Sequence, residues 1–236
     1  MMNLLVRLHA YCYIMQFLGL CFLIAFCVCT CEAQDRSLSD VITAFKQHQI
    51  PEHLNINFQP HVLLDVIFPQ TNGTLIAFAS GKQLERRETI MAPSYRIRGA
   101  NRIGPFVIIA VDPDAPLPEN RNISQIRHFM GSNYYKSLDL QDPNHLVNTT
   151  EAITYWRDPR PIRSSRPHRY IFLLYKQSRE FRTQILVNPM SSLAYFNVSR
   201  FAAATRLGQP IGGTFMLVGP DETSPIKAYD PEKDGL

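Results

Sequence analysis

All five cysteines of this chain, Cys12, Cys21, Cys27, Cys29 and Cys31, fall within its first 31 residues. The same stretch carries one basic residue, Arg7, an apolar run from about Ile14 to Thr30, and small residues near Cys31-Glu32-Ala33. A positive start, an apolar centre and a small-residue end make a secretory leader. Cleavage after Ala33 is expected, giving a leader over 1–33 and one domain over 34–236. The alternative is a signal anchor kept in the bilayer, because the run approaches the roughly 17-residue lower limit for spanning. Whatever folds after the leader has no thiol. It is not a disulfide scaffold, a thiolate zinc site or a thiol enzyme, and burial alone must hold it together.

Enough chain remains for one sizeable core. The 45% hydrophobic content and only 11 glycines exclude a disordered or collagen-like chain. A net charge of +4 is mild, so nucleic acid is not an expected partner. Secretion has a second, independent sign in four N-glycosylation sequons, at Asn72, Asn122, Asn148 and Asn197.

Ser37 to Gln49 reads as a helix, with Ser37 and Asp40 as a capping box, Leu38, Val41, Ile42 and Phe45 on one face, and Pro51 past the end. The period then changes. Val62–Phe68 and Thr74–Ala79 flank Asn72-Gly73, a hairpin signal. Tyr95–Ile97 and Phe106–Val111 follow, the latter apolar enough for a central strand. Ile126–Asn133, Arg169–Lys176, Thr183–Val187 and Thr214–Val218 are further strand candidates. A late helix is expected from Val198 to Leu207, capped by Asn197 and stopped by Gly208. Many strands and few helices predict a mainly β domain, sandwich or barrel-like.

No common catalytic signature occurs: no Gly-x-Ser-x-Gly, no His-Glu-x-x-His and no phosphate-cradling glycine loop. Two polar segments remain, each joined to an apolar strand. The first is Asp112-Pro113-Asp114-Ala115-Pro116, whose prolines keep the two carboxylates from wandering far apart. His128 follows inside a strand, where period two puts it with Ile126 and Met130, opposite Arg127 and Phe129. The second is Asp158-Pro159-Arg160-Pro161, leading to His168-Arg169-Tyr170, with His168 and Tyr170 on one strand face and Arg169 on the other. Taken singly these are a turn, a core histidine and a capped sheet edge.

Taken in order, Asp112–Pro116, Arg127-His128-Phe129 and His168-Arg169-Tyr170, then Phe196–Phe201 and Pro210-Ile211-Gly212-Gly213-Thr214, resemble the phosphatidylethanolamine-binding protein family over roughly residues 38–220. The resemblance implies an antiparallel two-sheet β fold with a large central sheet, a smaller sheet and peripheral helices. It also implies a surface cavity for a phosphate or phospholipid headgroup. By position Asp112, Asp114, His128, Pro161, His168 and Tyr170 match the family's cavity residues. Two departures stand out. Asp158-Pro159-Arg160-Pro161 replaces a glycine-rich run and looks more like the plant floral-regulator branch, so that Arg160 narrows the cavity or adds a positive wall. The tail after Pro220 matches poorly, leaving a closing role for Tyr229 in doubt.

The chemistry is compatible with this. A carboxylate beside a histidine favours imidazolium, and imidazolium with a phenol binds phosphate oxygens. The expectation is that His128, His168 and Tyr170 hold phosphate while Asp112 and Asp114 orient the histidines or meet an amine. No cofactor or metal set is called for. Arg157, Arg160, Arg163, Arg166 and Arg169 recur every third residue. In polyproline II the first four would line one face and draw in an acidic protein or a membrane surface; the plainer reading is a solvated basic loop. Three functional classes stay open: a secreted headgroup-binding protein, a protease inhibitor or regulator acting through surface loops, and a hydrolase using the Asp/His cluster.

Overall fold

The apolar run Phe106–Asp112 is buried at every position, and the architecture follows from covering both of its faces. A computed structural model describes residues 34–227; the expected leader and Tyr229 lie outside them. In chain order the elements are α1 (Leu38–Gln47), α2 (Ile50–Leu54), β1 (Leu63–Pro69), β2 (Leu75–Ala77), β3 (Lys82–Leu84), a 3-10 turn (Arg86–Thr89), β4 (Ser94–Arg98), β5 (Phe106–Asp112), β6 (Ile126–Lys136), β7 (Leu146–Asn148), β8 (His168–Lys176), α3 (Arg179–Arg182), α4 (Val198–Ala204) and β9 (Gly212–Val218).

These strands make a six-stranded sheet ordered β3-β9-β8-β5-β6-β7 and a three-stranded sheet ordered β2-β1-β4. The fold is therefore mainly β with a large and a small sheet, as expected. Among the described strands one pair departs from antiparallel, β3 with β9. Val107, Ile109, Val111, Ile171, Leu173 and Phe215 face the helices and meet Val41, Phe45, Val198 and Phe201. Phe106, Ile108, Ala110, Tyr170, Phe172 and Met216 face the small sheet and meet Leu64, Val66, Phe68, Tyr95 and Ile97. Burial on both faces is why β5 and β8 read as near-continuous apolar runs.

Local chemistry sets the ends. Ser37 Oγ accepts the Asp40 N–H at 3.2 Å and Asp40 accepts the Ser37 N–H at 3.0 Å, the expected capping box, worth about 1 kcal/mol. α1 stops at Gln47 because Gln49 turns left-handed; Pro51 then sits in the first turn of α2, where its missing N–H costs nothing. Asn72-Gly73 turns β1 into β2, with Gly73 at φ +83°. Asn197 caps α4, which ends at Ala204, three residues before the expected Leu207.

The strand expected over Thr183–Val187 does not form. Ser178 caps the short α3 instead, and Phe181 anchors it in the core. The Gln184 amide then takes over Val187's backbone, accepting its N–H at 2.9 Å and donating to its carbonyl at 2.7 Å. Those groups are no longer available to a ladder, and Ile185 and Leu186 are left exposed.

Period two also fails within β6. Ala110 pairs with Phe129 but Val111 pairs with Arg127, so His128 is the extra residue of a bulge. His128 keeps company with Ile126 as expected, while Phe129 joins the core under the small sheet and Met130 the core under the helices.

Candidate functional site

β5 ends on Asp112 and β8 begins on His168, and antiparallel pairing brings these ends together. A cavity of about 510 Å³ opens there, lined on its polar side by Asp112, His128, His168, Tyr170, Arg157, Asp158 and Arg160. Ala115, Ile123, Ile126 and Leu193 supply an apolar wall.

Asp112 is 3% exposed and both its oxygens are engaged. Oδ1 accepts the Asp114 N–H at 2.7 Å, which shapes the Pro113 turn, and Oδ2 accepts His168 Nδ1–H at 2.8 Å. The other ring nitrogen of His168 lies 2.8 Å from Ser165 Oγ, and the Ser165 hydroxyl donates to the Arg166 carbonyl at 2.8 Å. A hydroxyl has one proton to give. With that proton on Arg166, Ser165 accepts from His168 Nε2–H, so both ring nitrogens carry hydrogen. Burial alone would push the His168 pKa down, but the Asp112 charge and hydrogen bond, with Asp114 and Glu119 behind them, raise it. The raised pKa favours the imidazolium form of His168, in which both N–H groups are used internally. It gives the cavity charge rather than a donor.

His128 is the complement. Its Nδ1 lies 2.6 Å from the Arg157 carbonyl, which can only accept, so Nδ1 carries the hydrogen and Nε2 offers a lone pair. Burial lowers its pKa, the nearby His168 charge lowers it further, and Asp112 and the Arg157 bond only partly offset this. Its ring stands edge-on to Tyr170 at 4.9 Å. Burial, then the Asp112 and Asp114 charges, push the Tyr170 phenol well up, so it stays protonated and able to donate.

The structure does not bring every expected residue to the cavity. Asp112, His128, Arg160, His168 and Tyr170 line it; Pro161 is buried but not part of its lining. The Asp112 and Asp114 carboxylates take different partners, although the Asp114 N–H still donates to Asp112. Asp114 turns to Arg169 on the opposite strand face, with Arg169 Nη2 at 2.6 Å, Nε at 2.8 Å and the Arg169 N–H at 2.9 Å. Arg121 adds a contact at 3.1 Å. Burial opposes ionisation of Asp114, but these hydrogen bonds and charges win and lower its pKa. Its role is to pin the Pro113 turn from behind.

Arg157, Arg160, Arg163 and Arg166 are all exposed, yet they do not act as one face. Arg160 pairs with Asp158 at 3.3 Å, Arg166 with Glu119 at 3.2 Å, and Arg163 donates to the Glu222 carbonyl at 2.5 Å. Arg169, the fifth of the series, is buried under Asp114. Tail residues Pro225 and Lys227 border the cavity, although the sequence after Pro220 gave little reason to expect it.

Several residues of the site were not singled out by sequence. Trp156, the only tryptophan, lines the cavity, stacks on Phe172 at 5.7 Å and donates Nε1–H to the Thr89 carbonyl at 2.9 Å. Arg127, 1% exposed, holds the Ser191 and Ser192 carbonyls at 3.2 and 3.1 Å, next to cavity-lining Leu193; burial lowers its pKa to about 10. Ser165 completes the His168 contacts. The single tryptophan two positions before Asp158 and the place of Arg127 in the Arg127-His128-Phe129 motif were the available signals. Among the described residues no group of three or more His, Cys, Asp or Glu is placed to hold a metal ion.

A sequence model of the family described as phosphatidylethanolamine-binding protein matches residues 70–216, more than half of the chain. CEN-like protein 1 of Nicotiana tabacum is 28% identical over 159 residues, covering 67% of this chain and 82% of that protein. The carboxypeptidase Y inhibitor of Saccharomyces cerevisiae is 25% identical over 171 residues, covering 58% and 74%. Among solved structures, a carboxypeptidase Y inhibitor complexed with its cognate proteinase superposes with a TM-score of 0.63 at 21% identity, covering 82% of this chain and 98% of that one.

Proposed function

This chain belongs to the phosphatidylethanolamine-binding protein family, and from that premise we propose that it is a secreted, non-catalytic protein whose cavity holds a phosphate monoester or phospholipid headgroup such as phosphatidylethanolamine. The observation that carries the reading is the free Nε2 of buried His128 beside the internally satisfied His168 imidazolium. Asp112 and His168 cancel, and Arg157, Arg160 and Lys227 at the lining outnumber Asp158, so the field favours an anion. Neutral His128 accepts a hydrogen bond from a protonated phosphate, or takes up a proton and donates one; Tyr170 donates. A cavity of about 510 Å³ leaves room for the ester substituent, with the apolar wall beside it. Asp158 is the carboxylate at the lining besides Asp112, and it is already paired with Arg86 and Arg160, so the reading rests on the anionic end of the ligand.

Ser165, His168 and Asp112 have the connectivity of a nucleophile–base–acid relay. Catalysis does not follow from it, because Ser165 is 9% exposed and does not line the cavity. Failure of a fluorophosphonate to label Ser165 is the expected result.

Calorimetry with phosphorylethanolamine and with inorganic phosphate tests the binding. His128→Asn retains a donor for the Arg157 carbonyl and removes Nε2, whereas His128→Gln places an amide near Nε2. Losing a hydrogen bond to a charged ligand costs about 1.5–3 kcal/mol, roughly 10- to 150-fold in affinity. His128→Asn should show that loss and His128→Gln a smaller one. Equal affinity in both variants and the parent sinks the reading.

A second reading, a protease inhibitor or regulator working through a surface loop, is favoured by the exposed apolar side chains Ile185, Leu186, Met190 and Tyr195 on the segment between α3 and α4. Inhibition that survives His128→Asn but not charge substitution at Leu186 and Met190 would select it.

A further inference from the structure

The two sheets have four outer strands, and they are protected unequally. The edge of β4 is covered from within the chain, since the Ile97 N–H donates to the Asn144 carbonyl at 2.9 Å and Arg96 bridges to His145. β3 presents Lys82 and Gln83 to solvent and buries Leu84, a charged and polar edge that discourages pairing with another chain. β2 has neither device, and the bridge from β4 reaches β7 only at its start, at His145, so that Val147 and Asn148 run past it. Leu75 on β2 is 64% exposed and Val147 on β7 is 41% exposed, while Leu138 and Leu140 in the loop before β7 exceed 90%. Short strands with unpaired backbone and exposed apolar side chains invite association.

Two of the four sequons lie at these edges. Asn72 sits in the turn that feeds β2, and Asn148 is the last residue of β7. Both are exposed. Asn72 Oδ1 accepts the Thr74 N–H at 3.0 Å and the Thr74 hydroxyl at 2.8 Å, which leaves Nδ2 for a sugar. Asn148 Nδ2 donates to the Thr150 carbonyl at 2.7 Å with one hydrogen and keeps the second. Asn122 and Asn197 are exposed too but lie off the edges, in the loop before Ile123 and at the cap of α4.

We propose that N-linked glycans at Asn72 and Asn148 shield the two apolar edge strands and keep the protein from associating through them. The bond formed joins Asn Nδ2 to the anomeric carbon of an oligosaccharide. The bond broken is that carbon's link to a lipid pyrophosphate carrier, which departs with the electron pair, and the amide proton passes to the transferase. A hydrated, mobile glycan next to a three-residue edge does what Lys82 does on β3: it makes a second strand cost more to dock than it gains. The proposal rests on entry into the secretory pathway, and its test separates the two.

The full chain is expressed in a eukaryotic secretory host, and its proteolytic peptides are deglycosylated by peptide-N-glycosidase in heavy-oxygen water and weighed, each occupied asparagine appearing as a labelled aspartate. Sedimentation is recorded on the native glycoprotein, on the same protein after enzymatic deglycosylation, and on Asn72→Gln/Asn148→Gln. Occupancy at Asn72 and Asn148 is expected, with a monomer before deglycosylation and oligomers after it. Adding Leu75→Lys and Val147→Lys to the unglycosylated variant should restore the monomer. Export with glycans at Asn122 or Asn197 alone overturns the proposal and leaves secretion standing. No export and no glycan anywhere overturns both. Glycans on both edge sites with an unchanged monomer after their removal also overturns it.

Discussion

Ser165→Ala isolates the assignment of charge in the cavity. Ser165 Oγ lies 2.8 Å from His168 Nε2, and its own proton is engaged by the Arg166 carbonyl. Removing it strands a buried N–H of an imidazolium that is 3% exposed at its side chain. Losing one hydrogen bond to a charged, buried group costs about 1.5–3 kcal/mol. That cost applies only while His168 is charged. The folded-state pKa of His168 is raised above its ordinary 6.5, so the stability it contributes is full below 6.5 and disappears as pH rises through the folded value. Ser165→Ala should therefore destabilise by about 1.5–3 kcal/mol under mildly acid conditions and by much less once His168 is neutral. Urea denaturation across this range measures it, and an NMR titration of the His168 ring should show its midpoint moving down in the variant. A cost independent of pH, with an unmoved midpoint, would mean that the serine donates to a neutral ring and that His168 carries no charge.

Other outcomes follow from the same geometry. Arg169→Met leaves buried Asp114 with only Arg121 and the backbone N–H of residue 169, and should cost about 3–5 kcal/mol; with Asp114→Leu added, the total should fall well short of the sum of the singles in a denaturation cycle. Headgroup affinity should rise as pH falls, because the lowered pKa of His128 leaves it neutral until a bound anion draws a proton onto it; calorimetry in buffers of different ionisation enthalpy should detect that proton uptake. Gly213→Ala should destabilise by about 1–3 kcal/mol in thermal melts, since its new Cβ would lie 2.8 Å from the Phe172 carbonyl and 3.2 Å from the Phe45 ring.

Sequence alone determined the elements whose information is local. The Ser37–Asp40 capping box, the Asn72-Gly73 turn, the doubly buried β5 run and the Asn197 cap each depend on neighbours a few residues apart. Local signals also placed His168 and Tyr170 on one face and Arg169 on the other, because one unbroken strand obeys period two. The same rule misassigned His128 relative to Phe129 and Met130, since a bulge is fixed by which residue of β5 each β6 residue meets, not by β6 itself. Thr183–Val187 had strand-like composition, and the Gln184 side chain took the backbone groups a strand needs.

The cavity divides in the same way. Its polar residues were legible as motifs, but their roles were not. That Asp112 would face His168 while Asp114, two residues on, would face Arg169 was decided by the turn at Pro113 and the register of β5 against β8. Ser165, Trp156 and Leu193 entered because chain segments far apart in sequence close over one sheet end. A titrating group's charge depends on every dipole packed against it, and only the tertiary structure assembles those dipoles. The sequence therefore named the two histidines, and the fold shifted them in opposite directions, one towards a cation with both N–H groups engaged and the other towards a neutral ring with a free nitrogen.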